Sequence, residues 1–211
     1  MENTVGFYPT NVGSIPASRA RIKDDMKELK DFILIYDKVL PEDACKASVQ
    51  DLESREWEQH LFYESKTNTY AETIDDCDIY SEQIVTGQFI AQAVGAVLHD
   101  YVKKLNSNYF NELQKFSNIT YHRYRDGKQM VEHCDHIHAL FKGNEDKGIP
   151  ILSVVGVLND EYVGGEFVMF DDYEIKLGAG DIIVFPSVFL YPHRINKVTQ
   201  GTRYSFVSWA W

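Results

Sequence analysis

No run of about 18 uncharged apolar residues occurs in the chain, which argues against a membrane-spanning helix. The opening stretch, MENTVGFYPTNVGSIPASRARIKDD, lacks a basic patch followed by an apolar segment, so no secretory signal is indicated and a soluble, cytoplasmic protein is expected. Cysteine is scarce. Cys45, Cys77 and Cys134 stand far apart with no CxxC pair, which argues against a disulfide framework and a thiolate zinc site and fits a reducing compartment. Strand alternation is expected to turn Cys134 away from its neighbours, as a buried cysteine. Basic clusters are missing too: the formal net charge is -11 at pH 7 with scattered lysines and arginines, so nucleic acid is not an expected partner.

What is present is enough for one cored domain: 211 residues, 44% hydrophobic and 25% charged. Its character changes near residue 116, with helices before and strands after. Residues 1–31 read as a polar terminal arm and 32–115 as a helical support and lid region. Within that region, Phe32 to Tyr36 form a short strand. Pro41, Glu42 and Asp43 open a helix through about Trp57, proline and acidic residues both suiting the first helical turn. Trp57 to Ser81 show no sustained period and read as a long loop or irregular hairpin. Phe89, Ile90, Val94, Val97, Leu98, Tyr101 and Val102 then repeat at three and four, the stripe of a helix that backs a sheet. Over residues 116–211, strands are expected near 117–124, 129–135, 151–158, 166–170, 173–177, 181–186, 192–197 and 203–210, punctuated by glycine turns. Together they predict a mostly β, α+β fold, a jelly-roll or double-stranded β-helix core backed by the N-terminal helices, with one open mouth.

His133 and Asp135, one residue apart on a predicted strand, project from the same face about 7 Å apart. That suits two ligands of one metal, and His193 on a later strand offers a third. Two histidines and a carboxylate on one face of an octahedral ion leave three adjacent positions, which lets Fe(II) take an oxoacid in two and dioxygen in one. Each residue taken singly also has a structural explanation, a hydrogen-bonded histidine or a strand-ending aspartate. Arg203 strengthens the metal reading. It lies beyond His193 across a TQG turn, on a strand whose cavity face needs an anionic partner, and a carboxylate matches its forked guanidinium.

In TYHRYRDGKQMVEHCD at 120–135, VLNDEYVGGEFVMF at 157–170, GAGDIIVFPS at 178–187 and HRINKVTQGTRYSFVSW at 193–209, the chain resembles the 2-oxoglutarate and Fe(II)-dependent dioxygenases, specifically the prolyl 4-hydroxylase-like branch. The segment FILIYDKVLPEDACKASVQDL at 32–52 is similar to the strand and helix that open that family's domain. The resemblance implies iron held by His133, Asp135 and His193, and a salt bridge from Arg203 to the distal carboxylate of 2-oxoglutarate. It implies that Tyr124 lines the co-substrate pocket, that Trp209 lies in the pocket wall on the substrate side, and that Gly164 and Gly165 make a turn. The activity implied consumes 2-oxoglutarate and dioxygen, with ascorbate as reductant, and hydroxylates an unactivated C–H bond, most readily a prolyl residue in a peptide or protein, releasing succinate and CO2.

There are departures. On the strand at 151–158, where many relatives place a tyrosine or threonine hydroxyl against the oxoacid, only Ser153 carries one. Lys197 stands where proline is frequent. His136 and His138 follow the ligand pair closely and are expected in loop or supporting roles. Trp57, Phe62, Tyr63 and Tyr70 are expected in a lid over a peptide. Alternatives are an oxygenase of the same class acting on a free amino acid or other small molecule, a cupin-like metal protein with three or four His/Glu ligands around His193 and Asn196, and a jelly roll that binds a ligand or partner without turnover.

Overall fold

The structure, a computed structural model, describes residues 27–64, 69–72, 75–105, 113, 115–135 and 150–211, with the side chains of 62–64 and 69–72 left out. The arm up to residue 26, and His136 and His138, lie outside the described residues.

The elements follow in chain order. A 3-10 turn, Leu29–Phe32, leads into β1 (Leu34–Tyr36), and α1 (Glu42–Glu53) follows with Pro41 as its N-cap. The four short strands β2 (Glu58–Gln59), β3 (Leu61–Glu64), β4 (Thr69–Glu72) and β5 (Asp78–Tyr80) precede α2 (Gly87–Leu105). The remaining strands are β6 (Thr120–Tyr124), β7 (Met130–His133), β8 (Leu152–Val157), β9 (Tyr162–Gly164), β10 (Phe167–Met169), β11 (Tyr173–Ile175), β12 (Ile182–Pro186), β13 (His193–Ile195), β14 (Val198–Gly201) and β15 (Arg203–Ala210).

They assemble as two facing sheets of a double-stranded β-helix. The large sheet has the order β1-β12-β8-β15-β6-β5-β2 and the small one β11-β10-β13-β7, with antiparallel pairing throughout both. All eight expected strands of the second half are present. The first helix stops earlier than expected, at Glu53, where Ser54 caps it. The stretch 57–81 is more ordered than a loop: its ends, β2 and β5, extend the large sheet. A ribbon of β9 with β14 was not anticipated.

Alternation sorts the apolar residues of the large sheet into two cores. On β12, Ile182 and Val184 face the helices, where they meet Leu52, Ile90, Val94, Leu98 and Tyr101. Ile183 and Phe185 face the small sheet and meet Phe167, Met169 and Ile195. Strand β8 is buried along its whole length, which explains its nearly unbroken apolar run. α2 turns Ile90, Val94, Leu98, Tyr101 and Val102 inward, while Phe89, expected in the stripe, stands outside at its edge. Gly156 on β8 pairs with Phe206 on β15, and an added Cβ would sit 2.1 Å from the Phe206 ring, so only glycine lets that ring lie flat on its neighbour.

Trp57 departs from the expected lid. Its ring packs beside Tyr80 and Tyr204 under the Arg123 guanidinium, and its indole N–H donates to the Leu52 carbonyl at 3.0 Å, which fixes it in the helix-side layer. The side chains of Phe62, Tyr63 and Tyr70 lie outside the described residues.

Candidate active site

Strands β7 and β13 are neighbours in the small sheet, and their register places His193 opposite His133. The two rings lie with centroids 4.4 Å apart. Asp135, two residues past His133, returns its carboxylate to both: Oδ1 lies 3.4 Å from His133 Nε2 and 3.7 Å from His193 Nε2. Three donors far apart in sequence thus converge. Each histidine gives its Nδ1 proton to a backbone carbonyl, His133 to Val131 at 2.8 Å and His193 to Tyr191 at 3.1 Å. That fixes the tautomer and leaves Nε2 as the basic nitrogen turned to the shared centre, the arrangement a divalent metal requires. Phe167 stacks on His193 and Phe185 meets it edge-on, which limits ring rotation.

Burial alone would raise the Asp135 carboxyl, but His193, His133 and the Ser153 hydroxyl together hold it well below the usual carboxylate range. His193 is pushed down by its burial, only partly offset by Asp135. Burial also opposes charge on His133, yet the hydrogen bond and the charge of Asp135, with the Val131 carbonyl and the charge of Asp76, together outweigh it and the imidazole is raised. An ionised carboxylate with two imidazole nitrogens fits the two-histidine, one-carboxylate donor set suited to Fe(II).

Ser153 does not face an oxoacid pocket. It donates to Asp135 Oδ2, and Ser187 stands 2.7 Å behind it, so the two serines brace the carboxylate. Cys134 is not turned away as expected: β7 ends at His133, alternation ends with it, and Cys134 is partly exposed on the cavity lining, bonding the Phe189 carbonyl.

The cavity between the sheets has a volume of about 610 Å³ and is lined by all three donors together with Tyr124, Arg203 and Trp209. Arg203, on the central strand of the large sheet, is 1% exposed. Among the described residues no carboxylate pairs with it, and its Nε has no hydrogen-bond partner. Among the described residues its hydrogen bond is Nη1 donating to Ser205 Oγ at 2.7 Å, and its guanidinium lies 5.3 Å from the Tyr124 ring centre. A buried cation in this state calls for an anion. The expected glycine turn is present: Gly164 and Gly165 both have positive φ, and the Arg203 stem passes 3.0 Å from where a Gly165 Cβ would sit.

Sequence reasoning missed Ser187, His122, His60 and Ser205. Same-face alternation from Tyr124 and Arg203 points to His122 and Ser205, which face each other across β6 and β15. Burial, reinforced by His60 and Arg203, pushes His122 down to about 3, so it is neutral at ordinary pH, with Nδ1 3.2 Å from the Tyr124 hydroxyl. A second donor group is His60, Asp76 and Cys77. There His60 Nδ1 already donates to Asp76 at 2.6 Å, and burial pushes the enclosed Cys77 thiol far up, away from a ligating thiolate.

A double-stranded β-helix with a His/Asp/His donor set in its mouth and a buried arginine deeper in the same cavity defines a class: jelly rolls with a candidate metal centre. Residues 119–211 match the model of the 2OG-Fe(II) oxygenase superfamily. A PKHD-type hydroxylase of Pseudomonas putida is 31% identical over 60% of this chain and 58% of that protein, and one of Delftia acidovorans 36% over 42% and 41%. The chain thus spans about half the length of the curated relatives it matches. A prolyl hydroxylase from Trichoplax adhaerens, solved with a hypoxia inducible factor peptide fragment, shares the fold at TM-score 0.63 and 14% identity, over 85% of this chain and 83% of that one. A Pseudomonas putida prolyl-4-hydroxylase does so at 0.58 and 21%, over 85% and 91%. Over residues 119–211 the chain is thus similar to the 2OG-Fe(II) oxygenase superfamily, and it shares its fold with these prolyl hydroxylases.

Proposed function

We propose that the chain is an Fe(II)- and 2-oxoglutarate-dependent dioxygenase that hydroxylates an unactivated C–H bond, with a prolyl residue of a peptide or protein as its substrate. The observation that carries this reading is the pairing, in one cavity, of a converged His133, Asp135 and His193 with an unpaired, buried Arg203. His133, Asp135 and His193 would hold the iron, and Arg203 would take the distal carboxylate of 2-oxoglutarate. Once bound, iron and 2-oxoglutarate would supply the oxidising power, dioxygen and the oxoacid being consumed with release of succinate and CO2 and one oxygen going to the substrate.

The protein's own part is placement and exclusion. Ser153 and Ser187 keep the Asp135 carboxylate ionised and aimed, while the Val131 and Tyr191 carbonyls keep both histidines in the ligating tautomer. Val155, Phe167 and Ile195 give the cavity floor an apolar surface that keeps water from the reacting centre. Thr120 and Trp209 face the remaining side, where a substrate would enter. Prolyl specificity is supported by neighbours of the same fold that are prolyl hydroxylases, one of them solved with a peptide fragment. A cupin-like site would call on three or four His/Glu ligands and leave Arg203 without a task.

The test is mass spectrometry of proline-containing peptides incubated with the protein, iron, ascorbate and 2-oxoglutarate. An added oxygen in step with succinate is expected. Succinate without peptide oxidation would move the substrate to a free amino acid or another small molecule.

A further inference from the structure

Arg203 is the first residue of β15, where a strand's hold on its neighbours ordinarily gives out. On one side it pairs with Tyr124 of β6. On the other, the ladder with β8 runs from Ala210↔Leu152 to Ser205↔Val157, and β8 stops at Val157. Two residues more in that register would set Asn159 opposite Arg203. The chain instead donates the Leu158 N–H to the Tyr204 carbonyl at 2.9 Å and then leaves for β9.

That departure takes the neighbouring strand away from the main chain on both sides of Arg203, at the Thr202 carbonyl and the Tyr204 N–H, and buried main-chain groups need partners. Asn159, 9% exposed, serves both. Its Nδ2 donates to the Thr202 carbonyl at 2.8 Å, and its Oδ1 accepts from the Tyr204 N–H at 2.8 Å. One side-chain amide thus stands in for the missing peptide unit of β8. Further out, the Arg203 stem passes through the gap left by Gly165, where an added Cβ would lie 3.0 Å from both Arg203 Cδ and Val198 Cγ2. The backbone anchor and the path of the stem together decide where the guanidinium stands.

Resting on the reading of the cavity as a 2-oxoglutarate site, we propose that Asn159 is a positioning residue for the oxoacid: by clamping the main chain on both sides of Arg203, it presents the distal carboxylate with a cation already in place. Asn159 is not on the wall of the active-site cavity, so its effect is carried through Arg203. A forked pair depends on geometry held to about 0.5 Å, and an anchor free to shift forfeits part of it.

The test joins calorimetry on anaerobic Fe(II)-loaded protein to amide hydrogen exchange on the metal-free protein. Wild type, Asn159→Ala and Asn159→Ser are titrated with 2-oxoglutarate and with 2-oxopentanoate, which carries a methyl in place of the distal carboxylate. Asn159→Ala should weaken 2-oxoglutarate about tenfold, the scale of a displaced rather than a missing partner. It should leave 2-oxopentanoate affinity and iron content unchanged, and its Tyr204 amide should exchange faster than in wild type. Asn159→Ser, whose hydroxyl can serve one of the two main-chain groups, should lose only about threefold, and it decides the matter if the alanine variant does not fold. Unchanged 2-oxoglutarate affinity in a folded variant, an equal loss for both oxoacids, or unaltered Tyr204 exchange would overturn the assignment. Wild type that binds neither oxoacid, or both alike, would instead remove the reading of Arg203 as the carboxylate's partner.

Discussion

The two walls of the cavity solve opposite problems. The small sheet carries His133 and His193 on short strands, and the His133 side chain is 26% exposed while those of His193 and Asp135 are 6% and 9%, so His133 is the open side of the donor set. The large sheet carries Arg203 at the start of its longest strand, β15, 1% exposed, with neutral His122 and Ser205 beside it. An open donor set can exchange its ligands, whereas a buried cation holds an anion far more strongly because little water competes. The lesson is a division of labour: reactivity at the rim, recognition at depth.

Substitutions on each wall should therefore fail differently. On the rim, Asp135→Ala should lower succinate production at least about a thousandfold, since removing one of three ligands abolishes the centre rather than weakening it; metal analysis should show iron lost in parallel. At depth, Arg203→Ala should keep its iron but weaken 2-oxoglutarate about a hundredfold, a charge-assisted pair having lost its cation. Iron loss in the second variant would erase the contrast.

His122 sharpens the comparison through pH. Its pKa is about 3 in the folded protein, below the ordinary value of about 6.5 expected once unfolded, so as pH falls the unfolded chain takes up a proton that the native state refuses. Stability contributed by the neutral ring is full above about pH 7 and declines below it, by about 2 kcal/mol at pH 5. Denaturant unfolding of metal-free protein from pH 7.5 to 5 should show this slope, and His122→Gln should flatten it. Identical slopes would mean that the ring is not sealed from water. The smallest effect falls on Ser153→Ala, which should loosen metal about tenfold by freeing the Asp135 carboxylate, with oxoacid affinity at saturating metal little altered.

Much of this was legible in the sequence because alternation reports which face of a strand is buried. That rule found the eight core strands and placed His133 and Arg203 on the cavity face; Asp135, beyond the end of β7, meets His133 through the course of the chain after the strand. It does not report which strand pairs with which. Ser153 stood out in the sequence only as the lone hydroxyl of its strand, and the structure sets it against Asp135 and Ser187, a meeting decided by the approach of the β7 end to β8 and β12. The β9/β14 ribbon and the joining of β2 and β5 to the large sheet were hidden for a related reason. Strands of two to four residues are too short for a period, and tertiary contacts define them. Cys134 shows the rule's boundary, since alternation holds only while the strand lasts.

The most direct test of the central claim is an anaerobic optical titration. Adding Fe(II) and then 2-oxoglutarate to the metal-free protein should raise a visible charge-transfer band that saturates at one of each per chain. The band should be missing in Asp135→Ala and should need far more 2-oxoglutarate in Arg203→Ala. If the wild-type protein binds iron but develops no band at any 2-oxoglutarate concentration, then His133, Asp135, His193 and Arg203 do not form one oxoacid-binding iron centre.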